Sequence, residues 1–158
     1  MLPIELLTLN AGVAYTHASY QNFVNAPNSQ PAPIPLGGNV LNLINASGYE
    51  YIQATKVTAN LSADCVIASK LGDFGYNVSY YYNDGFFWEA NNRLRQGSYN
   101  IVNTSLTWTA PSKKFDVRLW GKNLTDKRYT VFGSTSPTGD QVADSDPRTF
   151  GITLGAHF

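Results

Sequence analysis

Two stretches near the C-terminus decide the fold: Phe115-Asp-Val-Arg-Leu-Trp-Gly-Lys-Asn-Leu124 and Arg148-Thr-Phe-Gly-Ile-Thr-Leu-Gly-Ala-His-Phe158. In the second, Phe150, Ile152, Leu154, Ala156 and Phe158 fall on one face of an extended chain, and Gly151, Thr153, Gly155 and His157 on the other. Period-two alternation with one apolar face predicts a strand half buried, or half in lipid. In the first, Asp116, Arg118, Trp120 and Lys122 alternate with Phe115, Val117 and Leu119. Charged side chains facing lipid are costly, so in a membrane barrel that side lines the lumen.

The same alternation runs upstream. Leu7, Leu9, Ala11, Val13 and Tyr15 predict a first strand over about residues 5 to 20. Val57, Ala59, Leu61, Ala63, Cys65 and Ile67 give the apolar face of a second. Tyr76, Val78, Tyr80 and Tyr82 give a third, and Val102, Thr104, Leu106 and Trp108 a fourth. With the two C-terminal runs, the reading is an antiparallel meander of about six strands and no helix. Its connections alternate long and short: Lys70 to Gly75 and Ala110 to Lys113 are turns, whereas Asn25 to Gly48, Asp84 to Gly97 and the polar segment after Leu124 are long loops. Four of the eight prolines, Pro27, Pro31, Pro33 and Pro35, lie in the first long loop and argue against a paired strand there. Bacterial outer-membrane barrels combine short periplasmic turns with long extracellular loops, and this order matches them.

Composition agrees. Charged residues are 14% and aromatics 13% of the 158 residues, with ten Tyr, against about 25% charged in an ordinary soluble domain. The net charge of zero gives no basic footprint for nucleic acid. No apolar run is long enough for a membrane helix, which leaves strands as the means of crossing. Met1 to Leu7 lacks a basic region followed by an apolar stretch, so no signal peptide is expected there. The lone Cys65 excludes an intrachain disulfide and a Cys-based metal site.

Gly121-Lys-Asn-Leu-Thr-Asp-Lys-Arg-Tyr129, followed by Pro147-Arg-Thr-Phe-Gly-Ile-Thr-Leu-Gly-Ala-His-Phe158, resembles the end of a TonB-dependent outer-membrane receptor. The resemblance extends to Leu9–Pro27 and Asn91–Trp108, with its specific part in the last third. It implies an all-β chain forming the C-terminal part of a barrel of about 22 strands around a plugged lumen. Residues 1–158 would then be that C-terminal portion, without plug or earlier strands. The implied parent function is energised uptake of a scarce nutrient (an iron–siderophore, a vitamin or an oligosaccharide) in the outer membrane of a Gram-negative bacterium. The implied partners are outer-membrane lipid, the outer-membrane assembly machinery, the TonB energising protein and the nutrient; no cofactor is implied. Alone the chain would not transport, because six strands are fewer than the eight of the smallest closed barrels. A small module closing by oligomerisation and a soluble ligand-binding β-sandwich are the alternatives.

The resemblance assigns Asn123, Leu124, Asp126 and Tyr129 to the family signature at the outer rim. Gly151, Leu154, Ala156 and Phe158 match the terminal signal read by the assembly machinery, with Phe150 departing from the usual polar residue before the glycine. Phe86, Phe87, Trp88, Arg93 and Arg95 form a candidate ligand or interface loop, or an interfacial aromatic girdle. His17 and His157 stand apart without metal-ligand spacing, and no nucleophile–base arrangement appears, so the chain is not read as an enzyme. Five Asn-x-Ser/Thr sequons, at Asn45, Asn60, Asn77, Asn103 and Asn123, are discounted as glycan sites because four fall in strands.

Overall fold

The computed structural model describes residues 4–157, with side chains from Leu7 onward. Its centre is a six-stranded antiparallel meander built from β1 (Ile4–Tyr15), β4 (Val57–Ser69), β5 (Gly72–Asn83), β8 (Tyr99–Thr109), β9 (Phe115–Lys122) and β12 (Thr149–Ala156), paired in that order. Each expected strand is present, and successive sheet strands are neighbours throughout. The terminal Phe158 lies outside the described residues.

The register carries one face unbroken across the sheet. Leu9 pairs with Ala63, Ala63 with Val78, Val78 with Thr104, and Thr104 with Gly121, which pairs with Phe150. A second row runs Leu61–Tyr80–Val102, and a third runs Cys65–Tyr76–Leu106–Leu119–Ile152. On the opposite face Asn10, Ser62, Ser79 and Asn103 form one polar row, and Asp64, Asn77, Ser105, Trp120 and Gly151 another. A slip of one residue at any pair would invert a strand's faces. A bulge between Glu5 and Leu7 interrupts the ladder on edge strand β1.

Among the described residues nothing forms a second layer on the apolar face. Among the described residues the only buried hydrophobic side chains are Ala26 and Ala46, and no large side chain is fully buried. Leu9 is 65% exposed, Ile152 68% and Leu154 75%. The accessible surface is 10604 Å² for 17.3 kDa, roughly a third more than the about 7,800 Å² of a folded soluble monomer of that mass. Thirteen large apolar residues on this face are exposed, from Leu7 to Leu154. At roughly 1 kcal/mol for each half-exposed side chain, leaving them in water forgoes on the order of ten kcal/mol, as much as a domain's whole net stability. The face is built to be covered.

Antiparallel order puts the two tight turns, 70–71 and 110–114, at one end of the sheet and all three long connections at the other. Gly72 makes the first turn possible: its φ is +117°, and a Cβ there would lie 2.2 Å from the Thr109 carbonyl.

The long connections are more ordered than the sequence suggested. Each folds into a two-stranded ribbon: β2 (Ala26–Pro31) with β3 (Asn39–Ile44), β6 (Phe86–Phe87) with β7 (Arg95–Gln96), and β10 (Thr130–Ser136) with β11 (Gly139–Asp144). The expectation that prolines forbid pairing at 25–38 is therefore corrected. Pro27 faces Leu43 and Pro31 faces Asn39. The adjacent Ala32 N–H donates to Gly38 (2.9 Å), which sets Pro31, Ser29 and Pro27 at the alternate positions whose N–H groups would point away from the partner strand. In a two-stranded ribbon a proline at such a position removes no ladder bond. The Asn39 N–H, at one of these outward positions, donates instead to the Pro137 carbonyl of the third ribbon (2.9 Å).

Candidate functional site

The three ribbons gather into a cap at one end of the sheet, and Arg93 is its central tie. Its two terminal nitrogens each donate to an Asp140 carboxylate oxygen at 2.7 Å, and its Nε donates to the Ser29 carbonyl at 2.8 Å. One guanidinium thus joins all three long connections with a bidentate, charge-assisted geometry. Asn39 adds a bond to Asp140 (3.0 Å), and Asn91 donates to Asn28 (2.8 Å) and to the Ser29 carbonyl (3.2 Å). The first and second connections are also joined by Glu50 N–H to Asn92 Oδ1 (2.8 Å) and Gln53 N–H to the Phe87 carbonyl (2.9 Å). Lys56 pairs with Glu50 within the first connection, and the Thr135 hydroxyl bonds Glu89 across to the third.

Arg93 beside it holds the Asp140 carboxyl below the usual carboxylate range, with Asn39 assisting, and Asp140 in turn raises Arg93.

Inside the cap lies a cleft of about 810 Å³, in the size range of small-molecule sites. Phe23, Tyr20 and Tyr51 form one wall, with Tyr20 4.9 Å centroid to centroid from each of the others. Trp88 and Glu89 also line it. Trp88 meets Phe86 edge-on (4.9 Å, 70°) and lies against Gly133, where a Cβ would come within 2.8 Å of the indole. Only glycine allows that approach.

The five loop residues singled out from sequence therefore divide. Trp88 lines the cleft; Phe86 and Phe87 form β6, with Phe86 against Trp88; Arg95 in β7 sits over the Phe87 ring (5.7 Å); Arg93 is engaged in the cap's ties. The Trp88 indole nitrogen is shielded within the cap. Tyr20, Phe23 and Tyr51 were not anticipated. Tyr51 lies 31 residues after Tyr20 and 28 after Phe23, and no periodicity announces a shared surface.

The signature at 123–129 is a structural knot. Asn123 is 6% exposed with φ +50°, and its side chain donates to the carbonyls of Lys127 (3.0 Å) and Asp146 (3.1 Å) while accepting from the Lys127 N–H (3.0 Å). Asp126 also has φ +50° and accepts from the Arg148 N–H (2.9 Å). Asn and Asp tolerate the left-handed region better than other side-chain-bearing residues and bond their own backbone there. Leu124 N–H donates to the Val102 carbonyl (2.8 Å), and Tyr129 stacks flat on Tyr99 (4.3 Å, 2°). The motif fastens the third connection onto β8 and to the approach into β12.

The glycines of β12 are places where neighbouring side chains need room. A Cβ on Gly151 would fall 2.2 Å from the Trp120 ring, and one on Gly155 2.2 Å from Asp116 Oδ1. Trp120 covers the strand and its Nε1 donates to Thr153 Oγ1 (3.2 Å), an aromatic compensating for a glycine at a sheet edge. Leu154 and Ala156 point to the exposed apolar face. His157 is not isolated as expected: its Nε2 lies 2.8 Å from Asp116 Oδ1. Among the described residues no group of three or more His, Cys, Asp or Glu side chains is placed to hold a metal ion.

No family model matches the chain. Over 72 residues it is 29% identical to the pesticin receptor of Yersinia pestis, a match covering 46% of this chain and 10% of that protein. Its structure is similar to the crystal structure of the ferric yersiniabactin uptake receptor FyuA from Yersinia pestis, with a TM-score of 0.67 and 23% identity over 96% of this chain and 28% of that one. The chain is thus related over part of its length to the first receptor, and its all-β antiparallel fold is that of a segment of the second. It spans well under a third of either relative.

Two outcomes follow from the cap and the knot. Asn123→Ala leaves the Lys127 N–H without its acceptor and places alanine at positive φ, and should lower unfolding stability by about 2 kcal/mol or more, read by urea titration of the lipid-refolded protein; a change under about 0.5 kcal/mol would show the knot to be dispensable. Because the Asp140 pKa is depressed in the folded state, its contribution is present above its unfolded value of about 3.9 and fades as pH falls through the lower folded value. Protease protection of the cap should therefore hold at pH 6 and decline in acid below about pH 4, and Asp140→Asn should weaken protection at pH 6 and flatten this dependence.

Proposed function

We propose that the chain is the C-terminal part of a TonB-dependent outer-membrane receptor barrel, whose parent takes up a scarce nutrient (an iron–siderophore, a vitamin or an oligosaccharide) with energy from its periplasmic partner. The observation that carries this reading is the six-strand meander with one apolar face exposed from edge to edge and every long connection at one end. In lipid, that face needs no protein cover. The likeness to a segment of the ferric yersiniabactin uptake receptor and the 72-residue relationship to the pesticin receptor support the same reading.

On this reading the cap faces outward and the two tight turns face the periplasm. The outer edges of β1 and β12 are the places where further barrel strands pair, because unpaired backbone groups in lipid cost several kcal/mol each. The polar face, with Asn77, Asp64, Arg118 and Lys122, lines the lumen. The knot at Asn123, Leu124, Asp126 and Tyr129 fixes the outer rim, and Gly151, Leu154, Ala156 and Phe158 serve assembly. The six-strand segment does not transport by itself, and it performs no catalysis. A soluble sandwich is disfavoured because it would need an interior built from the face that carries the exposed Leu9, Ile152 and Leu154.

The test is fractionation. Produced in a Gram-negative host behind a secretion leader, the chain should sediment with outer-membrane fragments, resist alkaline extraction and support no uptake of iron chelates. Recovery as a soluble periplasmic monomer would overturn the reading.

A further inference from the structure

On the polar face of the sheet, outside the cap, Arg118, Trp120 and Lys122 follow one another at alternate positions of β9. The two cations lean toward the indole between them. Arg118 stands opposite Thr107, yet its Nη2 reaches one row further toward the cap and donates to Ser105 Oγ at 3.2 Å. Ser105 is the residue opposite Trp120. From the other side the Lys122 ammonium lies over the Trp120 ring, 5.4 Å from its centroid. Both positive charges are thus drawn to the single row of Ser105 and Trp120. Both residues are exposed, and among the described residues neither is in an ion pair.

Like charges drawn to one place repel, and an anion between them offsets that cost. The protein supplies none. A groove of about 440 Å³ runs over this row, and its described lining holds no Asp or Glu. The described acids of the same face lie elsewhere. Asp64, two strands from Ser105, accepts from Asn77 Nδ2 at 2.7 Å. Asp116 is paired with His157, and Asp73 shares its row at the tight-turn end.

The hydrogen bonds already made define what the groove still offers. Ser105 Oγ accepts from Arg118, and Thr153 Oγ1 accepts from Trp120 Nε1 (3.2 Å), so each hydroxyl keeps its hydrogen to donate. Asn103 Oδ1 accepts from the Asn123 N–H (2.9 Å), which leaves its Nδ2 as a donor. Arg118 uses one N–H on Ser105, and the Lys122 ammonium faces the indole. Around Trp120 the free functions are therefore donors, two of them charged. Their complement is a negative group that only accepts, an ionised carboxylate or a phosphate.

We propose that this groove binds a small organic anion, with a carboxylate or phosphate group seated between Arg118 and Lys122 over the Ser105–Trp120 row and Asn103 as a further donor. The volume lies in the range of small-molecule sites. This inference goes beyond the receptor reading and does not rest on it. On that reading the groove opens into the lumen, apart from the cap.

The test is calorimetric titration of the full chain, refolded in an uncharged polyoxyethylene detergent, with tricarballylate and with glycerol 2-phosphate. Glycerol and spermidine serve as the uncharged and the cationic comparison probes. At least one of the two anions should bind saturably, and the tighter of them identifies the acid group. Arg118→Gln should weaken that binding about tenfold or more, and Lys122→Gln about threefold. Arg118→Lys, which keeps the charge and loses the planar fork, should also weaken it. Lys70→Gln, which removes a charge at the first tight turn, should leave it unchanged. Unchanged unfolding midpoints for Arg118→Lys and Lys122→Gln separate lost binding from lost fold. The proposal is overturned by no saturable binding of either anion, or by binding indifferent to the Arg118 and Lys122 substitutions. An equal loss in Lys70→Gln, or tighter binding of glycerol or spermidine, would overturn it too. Failure here leaves the fractionation result standing, and a soluble chain that still binds the anion would overturn the receptor reading alone.

Discussion

The hydrogen-bond register of the six-stranded sheet is the constraint on which the rest depends. Because side chains alternate with period two, a register kept in phase across five strand pairs sorts the chain into an apolar surface and a polar one. Among the described residues no second layer of structure covers the apolar surface. The folded chain consequently holds almost no buried hydrophobic side chains among its described residues, and its stability must be completed by whatever lies against that face. Lipid meets the requirement without directional bonds, whereas the backbone edges of β1 and β12 require strands.

The cap obeys different physics. It buries little hydrocarbon and is held by charge-assisted and amide hydrogen bonds that converge on Arg93, Asp140, Asn91 and Asn92. Such bonds are directional, so the cap can hold an open cleft that a hydrophobic core would fill. Glycine supplies the close approaches: Gly133 lets the Trp88 indole lie on β10, as Gly151 lets Trp120 lie on β12. The same chain thus combines a sheet sorted into an apolar and a polar face with a cap held by individual polar side chains.

The sheet was legible in the sequence because its signal is local. Each strand announces itself by alternation over about seven residues or more, as in Leu7 to Tyr15 or Phe150 to Ala156, and the tight turns leave the meander as the simplest topology. The ribbons were not legible. In β2 the prolines argue against pairing, and only their alternate spacing at Pro27 and Pro31, in phase with outward-pointing amides, reconciles them with a hairpin. The cleft was legible only at Trp88. Its other lining residues include Tyr20, Phe23 and Tyr51, brought together by backbone bonds between distant parts of the first connection: Tyr20 N–H to Tyr49, Gly48 N–H to Tyr20, Ala46 N–H to Phe23 and Tyr51 N–H to Ala18. Asn123 and Asp126 were marked by motif alone; their positive φ supplies the reason those residue types stand there.

Single-cysteine labelling in lipid vesicles tests the central claim that the two sheet faces meet different media. In a Cys65→Ala background, cysteines at Leu61, Leu106 and Leu154 sample the apolar face, and cysteines at Ser62, Ser79 and Thr153 the polar one. The account predicts that a bilayer-restricted maleimide labels the first set and a membrane-impermeant one the second, alternating residue by residue along each strand. Equal labelling of both sets by the water-soluble reagent would contradict it, since the apolar face would then lie in water.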